Sequence, residues 1–347
     1  MKFKYCLFVS VFVLAGCVRA EPAGPRTLVM MTHDSFAISE AIIEDFQAAH
    51  NATVQVITAG DAGLATNQAI LNKEAPLADV FYGIDNTLLT RGLEAEIFAA
   101  YESPLLANIP EEFQLDPENG ALPVDYGDVC LNYDKAFFDE ANLALPDSLE
   151  ALTDSVYRGL LVVENPASSS PGLAFLLATV AHFGKEGFVY YWQALRANDV
   201  KIVENWEAAY YTEFSGSSGR GSRPLVVSYA SSPPAEVIFA EEPLDEAPTG
   251  SLVGEGMCYR QIEFVGILKG TQNRELAEAW IDFMLSREFQ EDIPLQMFVF
   301  PVNPEAQLPE AFVKHAQIAT QPATVDPAAI AAHREEWIKA WTTTMLR

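Results

Sequence analysis

Residue types able to do covalent or metal chemistry are present, but they form no arrangement that builds a catalytic centre. The five histidines, His33, His50, His182, His315 and His333, are scattered without metal-ligand spacing. There is no GxSxG elbow, no GxxxxGK phosphate loop, no GxGxxG, no HExxH and no CxxC. A thiol nucleophile would have to be Cys130 or Cys258, and both sit in apolar segments that read as strands (DVCLNY and MCYRQIEFV) rather than at an elbow. With 48 Asp and Glu, spacing nominates no acid–base pair. No catalytic residue, metal or cofactor is expected. What the residue types offer instead is recognition. Thr32–Phe36, Tyr82–Asn86, Asn205-Trp206-Glu207 and Ser228–Pro233 each place polar or aromatic groups where a strand ends. The turn Ser168-Ser169-Ser170-Pro171-Gly172 opens a helix, and its hydroxyls and free N–H groups suit an anion such as phosphate; an ordinary N-cap turn has the same composition.

The elements that must carry these groups alternate. Leu28–Met31, Thr53–Thr58 and 78–83 read as strands. Between them, Asp34 or Ser35 can cap a helix whose Ile38, Ile42, Phe46 and Ala49 share one face, and Gly60–Gly63 turns the second strand into another helix. A helix is expected from Asn86. After a Pro-rich acidic connection at 104–123, strand Val124–Tyr133 opens a second series. It contains a helix from Ser148, strand Leu160–Glu164, a helix from Pro171, helices near 186–197 and 206–214, and strand Leu225–Tyr229. An irregular acidic stretch at 241–256 precedes strand Tyr259–Leu268 and helix Glu275–Leu285. The last helix opens on Asp326-Pro327 with Ile330, Trp337, Trp341 and Met345 on one face. Strands alternating with helices mean βαβ units on largely parallel sheets. The reading is two α/β lobes with a cleft between them: lobe 1 from 27–122 plus 260–347, lobe 2 from 123–259, and crossings near 123 and 258.

Composition narrows the class further. The chain has 347 residues, half of them hydrophobic, four cysteines and a net charge of −27. That excludes a disordered chain, a coiled coil and a disulfide-stapled miniprotein, and the sign argues against a nucleic-acid partner. Lys2 and Lys4 precede an apolar run at 5–15 that is too short to span a bilayer, the pattern of a signal peptide over 1–20. Leu14-Ala15-Gly16-Cys17 reads as a lipobox, which would acylate Cys17; Val18-Arg19-Ala20 reads as an ordinary cleavage site. Either route exports the protein to the periplasm. Cys130 and Cys258 then meet an oxidising compartment, where they pair or remain two buried thiols.

In this order and spacing the segments HDSFA (33–37), ADVFYGIDNTLL (78–89), VDYGDVCLNYDK (124–135), SSSPGLAFLLA (168–178), NWEAAYY (205–211), VVSYASSPP (226–234), FMLSREFQEDIP (283–294), FVFPVN (298–303) and AAHREEWIKAW (331–341) resemble the periplasmic thiamine-binding proteins of bacterial ABC importers. The likeness runs from about Leu28 to the C-terminus. It implies a type II two-lobed solute-binding protein, monomeric, that holds thiamine or its phosphates between the lobes and hands them to a membrane permease with its ATPase. It further implies Trp206 as the stacking ring, Tyr229 as a ligand contact, Asp61 as the carboxylate after the second strand, and Ser168, Ser169 and Gly172 as a phosphate-facing turn. Asp34 and Asp85 fall in the strand-end motifs. A thiazolium cation joined to a flat aminopyrimidine suits such a set, because aromatic faces attract cations and a dry carboxylate adds Coulomb energy.

Three positions depart from the family pattern. His33 and Phe298 replace a Tyr and a Trp and keep a stacking face, while Ala235 removes a ring and a hydroxyl. An iron- or polyamine-binding importer component of the same fold is the alternative, with Tyr210-Tyr211 as a paired-tyrosine candidate; neighbours on a helix point about 100° apart, which disfavours joint ligation. An exported enzyme acting on thiamine-like pyrimidines is the remaining one.

Overall fold

The computed structural model describes residues 24–217 and 221–347; the signal segment and Cys17 lie outside the described residues. The first series is β1 (Arg26–Thr32), α1 (Glu40–His50), β2 (Ala52–Thr58), α2 (Ala62–Leu71), β3 (Val80–Asp85), α3 (Leu89–Glu94) and β4 (Phe98–Ala99). β5 (Leu122–Asp134) and α4 (Lys135–Ala141) lead to the second: β6 (Leu161–Glu164), α5 (Ser170–Ala197), β7 (Lys201–Val203), a π-helical turn at Ala208–Glu213, β8 (Leu225–Tyr229), α6 (Pro233–Ile238) and β9 (Thr249–Leu252). The chain returns through β10 (Tyr259–Leu268), α7 (Arg274–Leu285), α8 (Arg287–Gln296), β11 (Phe300–Pro301), α9 (Glu310–His315) and α10 (Pro327–Met345).

One sheet carries both series, in the order β2-β1-β3-β10-β5-β8-β6-β7, with β4 on β10 and with β9 and β11 on β5. Parallel pairing is confined to β2-β1-β3 and β8-β6-β7, the products of the βαβ units. β10 and β5 run antiparallel to each other and to their outer neighbours, so the middle of the sheet is not parallel. The early residues of β5 pair with β10, from Leu122↔Val265 to Val129↔Tyr259, and its later residues pair with β8. These two long strands therefore join the halves. Their register brings Cys258 opposite Cys130, and the two form a disulfide with Cα atoms 4.3 Å apart.

Packing on either side is aromatic. Phe46 of α1 meets Trp280 of α7 edge-on at 4.8 Å. In the second series Trp192 of α5 meets Trp341 of α10 edge-on at 5.6 Å. Asp326 caps α10 by accepting from Ala328 N (2.8 Å), and Ile330, Trp337, Trp341 and Met345 are all buried. The sequence groups 260–347 with the first series. After β11, however, the chain bonds to the second: Gln317 N donates to Ala230 O (3.0 Å), Ala319 N to Asp128 Oδ2 (2.7 Å) and Ala323 N to Cys258 O (2.7 Å).

Several local expectations are corrected. α1 is preceded by Ser39 rather than by Asp34 or Ser35, because Asp34 N donates to Gly60 O (3.0 Å) and ties the β1–α1 loop to the end of β2. The helix expected from Asn86 begins at Leu89, since Asp85 Oδ1 first takes Thr87 N in a turn (2.6 Å). The helix expected from Ser148 is two short 3₁₀ turns, broken by extended backbone at Asp154. The helices from Pro171 and near 186–197 run end to end as α5, with a break at Gly184 (φ 74°) that only glycine adopts readily. The segment near 206–214 is π-helical, and the acidic stretch 241–256 contributes β9.

Candidate functional site

The loops leaving the C-terminal ends of β1, β2, β6, β7 and β8 converge on one cavity of about 350 Å³, closed by the middle of β10 and the α8–β11 junction. Of the residues singled out from sequence, His33, Asp34, Asp61, Trp206, Tyr229 and Phe298 line it together, with Ala235. Ser168, Ser169, Gly172 and Asp85 lie outside its lining; Ser170 of the same serine run takes a place in the wall.

Aromatic faces dominate. Trp206 stacks on Tyr210 with ring centroids 5.1 Å apart and planes 18° off parallel, and its indole N–H donates to Ser228 Oγ (2.9 Å). Tyr211 meets the same indole edge-on at 5.3 Å, so the ring is held by two tyrosines and a hydroxyl while it lines the cavity. Tyr229 OH donates to Gln261 Oε1 (2.9 Å). Phe298 sits at φ 56°, a left-handed conformation unusual for a bulky residue, and packs edge-on against Phe239 at 5.5 Å. The π-helical turn sets Tyr210 and Tyr211 at 86° to each other, with Tyr210 buried under Trp206 and Tyr211 half exposed.

Carboxylates supply the charge. Asp34, Asp61, Glu207 and Glu263 all line the cavity, whose lining includes no Lys or Arg among the described residues. Glu263 Oε1 lies 3.4 Å from His33 Nε2, and Glu263 Oε2 accepts from Tyr82 OH (3.0 Å), which also donates to Asp125 Oδ2 (2.5 Å). Burial opposes the charge on Glu263, but His33 and these hydrogen bonds hold it below the usual carboxylate range. Asp125 is pushed well up, first by burial and then by the neighbouring Glu263 charge, so the two carboxyls titrate as a pair. Burial works against protonation of His33, yet Glu263, with help from Asp61 and Asp34, raises the imidazole.

The serine turn is already supplied with an anion of the chain's own. Asp61 Oδ1 accepts from Ala62 N at the start of α2 (2.7 Å) and from Ser170 N at the start of α5 (3.2 Å). Two helix N-termini thus share one carboxylate. Burial raises Asp61, and these bonds partly offset it. The N–H groups of Ser168 and Ser169 both go to Asn165 O, and Ser168 Oγ donates to Glu204 O (2.7 Å). Gly172 allows close packing of α5 on β6, since a Cβ there would stand 2.8 Å from Glu164 O. Asp85 is fully buried; it accepts from Gln261 Nε2 (2.9 Å), Ser170 Oγ and Thr87 N, and burial pushes its carboxyl up to about 7.

Sequence reasoning missed Glu263, the acid that faces His33. Its signal was a single charged residue within the otherwise apolar run IEFVGIL of β10. It named Ser170 and Phe36 only as members of their loops, and it missed Phe239 and Met297, which carry no sequence mark beyond being apolar.

Comparison with known proteins places the fold and the family. A family model described as bacterial extracellular solute-binding protein matches residues 75–326. The thiamine-binding periplasmic protein of Salmonella typhimurium is 30% identical over 337 residues, covering 94% of this chain and 96% of that protein. A solved periplasmic thiamin binding protein superposes with a TM-score of 0.81 at 25% identity, over 93% of this chain and 97% of that one. Iron-bound HitA from Pseudomonas aeruginosa shares the fold, with a TM-score of 0.76 at 20% identity over 92% and 99% of the two chains. This chain belongs to the bacterial extracellular solute-binding protein family.

Proposed function

We propose that this protein is the periplasmic binding component of an ABC importer and that it captures thiamine in the cavity between its halves. The observation that carries this reading is one cavity lined by aromatic faces and four carboxylates, with no Lys or Arg in its lining among the described residues. A permanent cation on a flat heterocycle gains stacking and cation–π attraction from Trp206 and Tyr229, and Coulomb attraction from Asp34, Asp61, Glu207 and Glu263. Such a lining favours unphosphorylated thiamine over its phosphates, because it offers a phosphate no Lys or Arg among the described residues and the N–H groups of the serine turn are engaged internally. The relatives named for thiamine binding support the ligand class.

Capture works as a clamp. Lobe 1 comprises 27–122 with 260–347 and lobe 2 comprises 123–259, and the segment after β11 also bonds to lobe 2 at Ala230. β5 and β10 act as the hinge, and ligand favours the closed form by its higher affinity for it. The closed monomer then docks on the permease. No helix among the described residues is long and apolar enough to cross a membrane. Export uses the N-terminal signal segment, cleaved either before Cys17, which then carries the lipid, or after Ala20.

Calorimetry with thiamine, its mono- and diphosphate, and spermidine tests the reading. Submicromolar binding of thiamine, tighter than either phosphate, is the expected outcome. Binding of spermidine but no thiamine form would replace it with a polyamine carrier. A tyrosinate charge-transfer band on adding ferric ion would replace it with an iron carrier.

A further inference from the structure

A second cavity, of about 160 Å³, lies behind the Asp61–Ser170 contact, between α2, α3, the turn before α5, and α10. Two arginines line it, Arg91 of α3 and Arg334 of α10. Arg334 is only 7% exposed. Its Nη2 donates to Glu335 Oε1 (2.9 Å), but its Nη1 is buried and has no partner among the described residues. Burial and the neighbouring Arg334 charge pull the Arg91 guanidinium below the usual arginine range. The acid that offsets them, Glu335, has a side chain 75% exposed, so water screens much of its charge. Asn67 also lines the cavity and leaves its carboxamide Oδ1 unpartnered.

A buried guanidinium with an unspent donor beside a second guanidinium is costly unless an anion joins them, and paired arginines are the usual recognition geometry for phosphate. In a chain with 48 acids and 21 bases, two arginines thus line one enclosed place. We propose that this cavity is an oxyanion site for inorganic phosphate, separate from the thiamine cleft. The phosphate bridges Arg91 and Arg334, and the hydroxyl of hydrogenphosphate donates to Asn67 Oδ1. The Asp61 carboxylate and Ser170 stand between the two cavities, which keeps the phosphate site apart from the cleft ligand. The site also spans the halves, since α3 belongs to the first series while α10 and the turn before α5 pack with the second. Bound phosphate thus stabilises the approach of the two halves.

The test is titration of the full mature chain with inorganic phosphate, followed by ³¹P line broadening and calorimetry at ionic strength held constant with chloride. Wild type is expected to show saturable binding that persists under saturating thiamine and weakens at least tenfold in Arg91→Gln and Arg334→Gln. Arg91 is only partly buried, so Arg91→Gln carries the test should Arg334→Gln fail to fold. No saturable binding by wild type, binding within twofold of wild type in Arg91→Gln (an adventitious ion only), or competition by thiamine would each overturn the proposal. Phosphate is the probe throughout, so a chain that fails to bind thiamine leaves this result interpretable.

Discussion

Replacing Trp206 by alanine removes the ring that most directly defines the cleft. The indole lines the cavity while it is stacked on Tyr210 at 5.1 Å, met edge-on by Tyr211 at 5.3 Å, and its N–H is fixed by Ser228. Only the cavity-side interaction is therefore lost to the ligand. Stacking of a base on an aromatic side chain contributes about 1–3 kcal/mol by alanine substitution. A cation over such a ring gains roughly 0.5–2 kcal/mol, and a thiamine molecule cannot place both of its rings fully on one indole. A central value of about 2 kcal/mol corresponds to roughly 30-fold weaker thiamine binding. Folding should be little affected, because the residue is only half-buried and Ser228 Oγ keeps its contact with Ser232 Oγ (3.0 Å). Trp206→Phe keeps a face and loses the hydrogen bond, so it should fall between the two. Calorimetry at matched ionic strength, with circular dichroism to confirm the fold, measures all three proteins. Thiamine affinity of Trp206→Ala within twofold of wild type would refute the assignment of this ring to the ligand.

Asp85 carries its proton to about pH 7 in the folded chain, whereas an unfolded aspartate loses it near 4. Folding stability should therefore fall as pH rises from about 4 to 7, by on the order of a few kcal/mol, and Asp85→Asn should flatten that slope in urea unfolding at a series of pH values; an unchanged slope would count against a neutral Asp85. Gly83→Ala places a Cβ 2.2 Å from His33 Cδ2 at φ +93°, so it should cost at least roughly 1–2 kcal/mol of stability and weaken thiamine binding by displacing the His33–Glu263 pair. The Cys130→Ala/Cys258→Ala double variant opens a loop of 128 residues and should lose about 2–5 kcal/mol by denaturant unfolding; equal stability of the oxidised wild type and the variant would contradict the disulfide.

The sequence was most legible where local pattern and global fold agree. Strands Leu225–Tyr229 and Tyr259–Leu268 appear with the bounds read from their apolar runs, and the capped face of α10 is buried as its spacing required. It was least legible where backbone groups are spent on distant partners. Asp34 N bonds to Gly60 O, which delays α1 and leaves His33–Ala37 as cleft wall; no helical periodicity records that bond. The serine turn shows the same limit. Ser168, Ser169 and Gly172 have the composition of an anion site, yet the anion at the start of α5 is Asp61, more than a hundred positions earlier in the chain. Spacing within one segment cannot reveal a counter-charge delivered by another.

That delivery also explains how the cleft can be acidic without being self-repelling. Each carboxylate facing the cavity floor is balanced by a partner that is not a fixed cation. Asp61 is held by two helix N-termini, and Glu263 by His33 and the Tyr82 hydroxyl. Backbone dipoles and hydrogen bonds stabilise negative charge without placing a Lys or Arg where a thiazolium must sit. A guanidinium in the same wall would stabilise the acids more strongly, but it would also repel the ligand. The His33–Glu263 pair is the adjustable part of this arrangement. An arriving cation favours the neutral imidazole, so thiamine binding below the His33 pKa should release a proton, and the heat of binding should then vary with the ionisation enthalpy of the buffer. Equal binding heats in buffers of different ionisation enthalpy, measured near pH 6.5, would show that His33 keeps its proton and that the remaining acids alone offset the cation.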